Sequence, residues 1–324
     1  MYDKEYKSLT LRLGFTLLFM LLLLLVFMTP LGFGQLLFVA WLTPTAANVL
    51  YWGLYCFFYY VAFMLPVPFF MLISGKRKTQ KMHLQMRFTR SFPWMALASL
   101  GVITATGQIN SLLVSPFSGN AGGDDILMEL ISPDQSYMVV LVFVMLVIVP
   151  PFCEEILFRG LVLGNLLPYG KGVAVIGSAL LFAAMHQSFS QFLYTAVAGV
   201  LMGLLYVESK SIWPSTLVHM LNNMLSFVQM MVYTRVADEM MAGRILLCIN
   251  LAVIAVGCVS IAVLACKAGK EKKSVSTGQG LFGQCGLPEH PLPLSQGVLM
   301  RRFFSPTILV YLIISLAVAL ITLF

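Results

Sequence analysis

Cys153-Glu154-Glu155-Ile156-Leu157-Phe158-Arg159 sets two adjacent carboxylates and an arginine inside a run that is otherwise almost wholly apolar. Between residues 137 and 168 these three are the only charged side chains. At bilayer depth an ionised side chain costs about 2.5–3.5 kcal/mol on insertion scales. Three together therefore need partners or a task, and the surrounding chain is expected to be scaffold for a buried polar site.

The composition fits that expectation. Of 324 residues, 59% are hydrophobic and only 10% are charged, against about 25% charged in a soluble domain. With a mean hydropathy of +0.90, the chain reads as an all-α, polytopic transmembrane bundle of eight or nine spans. The net charge of +7 is not a nucleic-acid signature, because basic residues in such a protein mark cytoplasmic loops. The cysteines (56, 153, 248, 258, 266 and 285) lie mostly in or beside apolar runs and match no zinc spacing. They read as small buried hydrophobes, not as a disulfide framework.

Working outward from the Glu-Glu stretch, nine apolar runs are predicted as spans: 13–34, 46–74, 92–114, 137–167, 172–187, 192–207, 212–233, 245–266 and 306–324. Three regions follow: 1–136 with three spans, a core at 137–233 made of spans four to seven, and 234–324 with a flexible linker at 267–305. Pro150-Pro151 is expected to kink or break span four, with a new helical segment starting at Phe152. Gly199 and Gly203 form a small-residue face for close helix packing. The 75–90 segment is basic, and the 115–136 segment is acidic and irregular. With the amino terminus in the cytoplasm and nine alternating spans, only Arg235 and Arg244 of the twenty basic residues fall outside. A multi-pass protein with a cytoplasmic amino terminus is the expectation.

Three polar groups interrupt the core. Glu155 and Arg159 are four apart and share a helix face, so they are placed to pair, while Glu154 points about 100° away. Phe182-Ala183-Ala184-Met185-His186 puts a histidine in span five. His219-Met220-Leu221-Asn222-Asn223 puts His219 and Asn223 on one face of span seven, where both could donate to a developing oxyanion. Each group also has a plain structural explanation: a buried ion pair, a hydrogen-bonded core histidine, or interhelical hydrogen bonding. By helical rise, Glu154 and His186 agree in depth. His219 agrees only if the turn at 209–212 sits deeper or its span is tilted.

Glu-Glu-x-x-x-Arg, Phe-x-x-x-His and His-x-x-x-Asn, in this order on separate spans, resemble the CAAX-processing and bacteriocin-processing (CPBP, Abi) family of intramembrane proteases, including type II CAAX prenyl endopeptidases. Each motif is weak alone; the ordered set is specific. The resemblance covers about residues 137–233. It implies an intramembrane endopeptidase with Glu154 as the base that activates water. His186 would position that water or move protons, and His219 and Asn223 would stabilise the oxyanion. Glu155, Arg159 and Phe182 would be structural or orienting. The family has often been labelled as metalloproteases. If a metal takes part, Glu154, His186 and His219 would be its ligands, with zinc the alternative. His-x-x-x-Asn lacks the His-Glu-x-x-His arrangement of zinc proteases, so a metal-free glutamate protease, with no cofactor, is favoured.

The expected partners are the lipid bilayer and a peptide or protein substrate cut at a membrane-associated site near the cytoplasmic face, with no nucleic acid. A prenylated Cys-a-a-X tail is one option; a peptide leader or another membrane protein are the others. Two rival classes use the same buried polar residues: a proton-coupled transporter and a non-catalytic immunity or scaffold protein.

Overall fold

The computed structural model describes residues 2–75, 79–114, 131, 137–274 and 294–321. Most of the acidic 115–136 segment and the centre of the predicted linker, 275–293, lie outside the described residues. Among the described residues the secondary structure is helical, with no strand. In chain order the helices are α1 (Tyr2–Trp41), α2 (Pro44–Met64), α3 (Pro66–Ser74), α4 (Phe92–Val114), α5 (Val139–Tyr169), α6 (Lys171–Met185), α7 (Phe189–Ser209), α8 (Trp213–Arg235), α9 (Glu239–Ser274), α10 (Gln296–Phe303) and α11 (Pro306–Ile321).

A helix, or the adjoining α2–α3 pair, stands where each of the nine spans is predicted. The count of self-sufficient spans is lower. Among the described residues six helical segments are long and apolar enough to cross a membrane, or seven if the bent α10–α11 pair is one span. α6 falls short at 15 residues. α8 carries His219, Asn222, Asn223 and Gln229, which lower its hydropathy. The two helices that depart from span composition are thus site-bearing ones.

α5 is the central element, packed by α2, α3, α6, α7 and α8. That position explains how it carries three charges: Glu155 and Arg159 are fully buried and Glu154 nearly so, away from lipid. Close packing around it depends on small residues. A Cβ on Gly199 of α7 would lie 2.9 Å from Ala179 Cα of α6. One on Gly101 of α4 would lie 2.6 Å from Gly257 Cα of α9. In both places only glycine lets the backbones approach so closely.

The proline pair does not break α5. The chain stays helical through 139–169, with π-helical turns at Val144–Ile148 and Ile156–Leu163 and an α-helical segment beginning at Val149 rather than Phe152. Pro150 has no N–H to donate to the carbonyl four residues earlier, which belongs to Leu146. A side chain takes over that role: Asn223 Nδ2 of α8 donates to Leu146 O at 2.8 Å. A wide π turn before the prolines is the usual local accommodation of such a mismatch.

Two further expectations change. The 267–305 linker is helical at both ends, as the end of α9 and as α10. Of the described cysteines, all carrying thiols, Cys153 is buried but Cys248, Cys258 and Cys266 are exposed on the outer side of α9. At a bilayer-facing surface a thiol is solvated by lipid as readily as by protein, so burial is not required.

Residues 79–90 form an extended strap across the basic end of the core. Gln80 N–H donates to Asn165 Oδ1 at 3.0 Å, Ile212 N–H to His83 O at 3.0 Å, Ser211 Oγ to Gln85 O at 2.7 Å and Trp213 Nε1 to Leu84 O at 2.8 Å. The strap therefore lies over the α7–α8 turn.

Candidate active site

Glu155 and Arg159 pair across one turn of α5 at 2.9 Å, the contact their four-residue spacing predicts. The guanidinium lies 4.4 Å over the Phe182 ring of α6, and its Nη2 reaches Gly199 O of α7 at 3.5 Å. One buried cation thus receives a carboxylate, a π face and a carbonyl. The carbonyl is within reach because Gly199 brings α7 against α6.

Glu155 Oε1 also meets His219 Nδ1 at 3.1 Å. That contact orients the imidazole with Nδ1–H toward the carboxylate and Nε2 facing the other way. Nε2 lies 3.7 Å from Glu154 Oε2, so His219 is seated between the two adjacent glutamates. This geometry brings His219 level with Glu154 and Glu155, and the strap covers the α7–α8 turn.

Glu154 is held at its other oxygen by a residue the motifs do not contain. Tyr59 of α2 donates its hydroxyl to Glu154 Oε1 at 2.6 Å. Oε2 of Glu154 is buried and accepts no hydrogen bond from the described residues. Nothing in the sequence separates Tyr59 from Tyr51, Tyr55 or Tyr60 in the same aromatic-rich helix. Only the crossing of α2 over α5 selects it.

His186, at the end of α6, sets Nδ1 3.0 Å from Phe182 O. A carbonyl can only accept, so Nδ1 carries the proton and Nε2 the lone pair. Phe182 is the shared packing partner: its ring makes edge contacts with His186 at 4.9 Å and with His219 at 5.7 Å between centroids. Asn223 lies near His219 but gives an N–H to Leu146 O. Asn222, the less favoured of the two asparagines in the sequence, donates to Asn223 Oδ1 at 3.4 Å.

A cavity of about 30 Å³ is walled by His186, His219, Asn222, Asn223, Phe182 and Thr195, among others. It has room for a water molecule. Glu154 is not on its wall; it lies one side chain behind, across His219 Nε2. The helices thus gather Glu154, Glu155, Arg159, Phe182, His186, His219 and Asn223 into one buried cluster.

Among the described residues no three His, Cys, Asp or Glu side chains are grouped so as to hold an ion. His186 and His219 each direct Nδ1 to a protein partner and leave Nε2 facing the site.

Residues 136–225 match a family model described as type II CAAX prenyl endopeptidase Rce1-like, in agreement with the resemblance carried by the three motifs. The chain is also similar to the membrane-embedded CAAX protease MroQ of Staphylococcus aureus (strain USA300). The two are 25% identical over 179 residues, which covers 50% of this chain and 69% of that relative. No solved structure matches the chain.

Proposed function

We propose, from the likeness of its core to CAAX prenyl endopeptidases, that this chain is a membrane-embedded endopeptidase in which Glu154 activates the attacking water. The observation that carries the reading is the setting of Glu154. It is a buried carboxylate fixed through Oε1 by Tyr59, while Oε2 faces the His219 side of the site without a protein donor. A base needs this combination of fixed orientation and one available oxygen.

In this mechanism Glu154 Oε2 takes a proton from water as the water oxygen adds to the scissile carbonyl carbon. The carbonyl electron pair moves onto its oxygen. His186, with its lone pair on Nε2, accepts a hydrogen bond from the same water and aims it. The oxyanion is met by the second N–H of Asn223 and by His219, whose imidazole Glu155 orients through Nδ1. On collapse, the oxyanion re-forms the C=O bond as the C–N bond breaks and Glu154 returns its proton to the leaving nitrogen; the new carboxylic acid then gives its remaining proton to the amine, and a carboxylate and an ammonium group separate. Arg159 holds Glu155 in place, and Phe182 fixes the spacing of both imidazoles. Opening the cluster slightly lets substrate reach Glu154, in keeping with the longer catalytic contacts of unliganded sites.

The chain is a multi-pass membrane protein with its amino terminus and basic 75–90 segment in the cytoplasm, as charge asymmetry favours. Its substrate is a membrane-associated peptide segment, either a prenylated tail or an unlipidated leader. The purified protein in lipid nanodiscs, given fluorescence-quenched peptides with and without a farnesylated cysteine, tests the reading. Cleavage of either peptide that disappears in Glu154→Gln supports it and assigns the class. Cleavage that survives Glu154→Gln overturns the role of Glu154.

A further inference from the structure

The small cavity beside His219 does not end at the strap. Its wall residues Ile103, Tyr194 and Asn222 also border a groove of about 370 Å³ between α4, α7, α8 and α9. The groove runs away from the basic end of the core. α4 starts beside the strap at Phe92, and the groove follows it to Ser111 and Val114 at the far end. The strap hydrogen bonds cover the other end. A 370 Å³ space is within the range of ligand-binding clefts.

The lining chemistry is unusual for membrane depth. Gln108, Ser111, Asn222, Ser226, Gln229 and Asn250 contribute carboxamides and hydroxyls, and among the described residues no charged side chain borders the groove. Gln229 Nε2 donates to Asn250 Oδ1 at 3.0 Å, which sets the two amides in one line. Thr104 also faces the groove. It is 93% buried (7% exposed), and its Oγ1 has no hydrogen-bond partner among the described residues. A buried hydroxyl left unbonded costs stability, and in hydrocarbon each polar group needs a partner.

We infer that this groove binds an extended, uncharged stretch of the substrate peptide through its main chain and leads it to the catalytic cluster. An unwound peptide in a bilayer exposes one N–H and one C=O per residue and cannot leave them unpaired. Carboxamides and hydroxyls supply both donors and acceptors to match them, while a charged ligand would find no counter-charge among the described lining residues. Asn222 and Gln229 lie seven residues apart on α8, about 10 Å along its axis, the length of about three extended residues. α4 and α9 lie outside the 136–225 family match, so this wall is a feature of the flanking helices. The inference rests on the endopeptidase reading for what the occupant is.

The test uses the full chain in nanodiscs and a pool of short uncharged peptides carrying a benzoylphenylalanine photo-crosslinker. With Glu154→Gln, crosslinks are expected on Gln108, Ser111, Ser226 or Gln229. Ser226→Trp, an exposed position where a large ring fills the groove, is expected to lower the yield about tenfold. Ser111→Trp serves as a second such variant, with monodisperse elution as the check on folding. In the otherwise unaltered chain, the same substitutions are expected to raise KM for the peptides about tenfold with kcat unchanged. Crosslinks elsewhere, or none, overturn the inference and leave a groove that holds only water or lipid. Cleavage with KM unaffected by either tryptophan overturns it while the endopeptidase reading stands. Groove crosslinks without any cleavage support the peptide site and sink the endopeptidase reading instead.

Discussion

The Tyr59 hydroxyl donates to Glu154 Oε1 at 2.6 Å, tying α2 to the central carboxylate of α5. A hydrogen bond to an ionised group contributes about 1.5–3 kcal/mol. If that energy orients the base, Tyr59→Phe lowers kcat by about 10- to 100-fold and leaves KM and the folded yield unchanged. Steady-state kinetics on the purified variant check this. A proportional change in KM with constant kcat would assign Tyr59 to substrate binding instead.

Arg159 is fully buried against Glu155. Removing one member of such a pair leaves an uncompensated charge and costs about 3–5 kcal/mol, whereas replacing both by apolar residues is often tolerated. Arg159→Leu is therefore expected to collapse the yield of monodisperse protein, and Glu155→Leu with Arg159→Leu to restore much of it. Size-exclusion profiles of fluorescent fusions read this directly. The restored double variant should remain inactive, because His219 loses the partner at its Nδ1.

The Asn223–Leu146 hydrogen bond replaces the one that Pro150 cannot make. Asn223→Ala should cost about 1–3 kcal/mol by leaving a buried carbonyl unpaired. In a Pro150→Ala background the restored main-chain N–H supplies a donor, and the cost of Asn223→Ala should shrink. A double-mutant cycle on thermal stability measures the coupling. Strict additivity would show that the two positions act independently.

The strap carries His83, packed near Tyr206 with ring centroids 5.9 Å apart. Partial desolvation lowers its pKa below the ordinary 6.5, and Lys210 and Arg87 add to the effect. The folded strap thus binds protons less readily than the open one. Its closure is fully present above about pH 6.5 and weakens as the pH falls through the range below that value. The protection factors of residues 79–90, with the intrinsic pH dependence of amide exchange divided out, should fall between about pH 7.5 and pH 5.5, and His83→Asn should remove most of the difference. An equal fall in both proteins would point to another titrating group.

What the sequence discloses about this molecule depends on how local the determining contact is. Glu155 and Arg159 are one turn apart, so spacing alone predicts their pairing, and the apolar runs mark every helix of the core. Seating His219 between Glu154 and Glu155 is a matter of turn depth or helix tilt, which helical rise could only state as a condition. Tyr59 and Thr104 were illegible because each acts across a helix crossing, and in sequence they resemble the aromatic and small residues around them. The proline pair reads as a break because its rescue comes from Asn223, over seventy positions away. The strap looks like an ordinary basic loop until its carbonyls are seen to accept from Ile212 and Trp213.

The central claim is that Glu154 drives peptide-bond hydrolysis, and the most direct measurement compares peptide termini in membranes of cells making the wild-type chain or Glu154→Gln at equal levels. New amino or carboxyl termini present only with the wild type are the predicted result, and they would name the substrate. Identical termini in the two membranes, with Glu154→Gln still supporting the cellular role of the protein, would contradict the account.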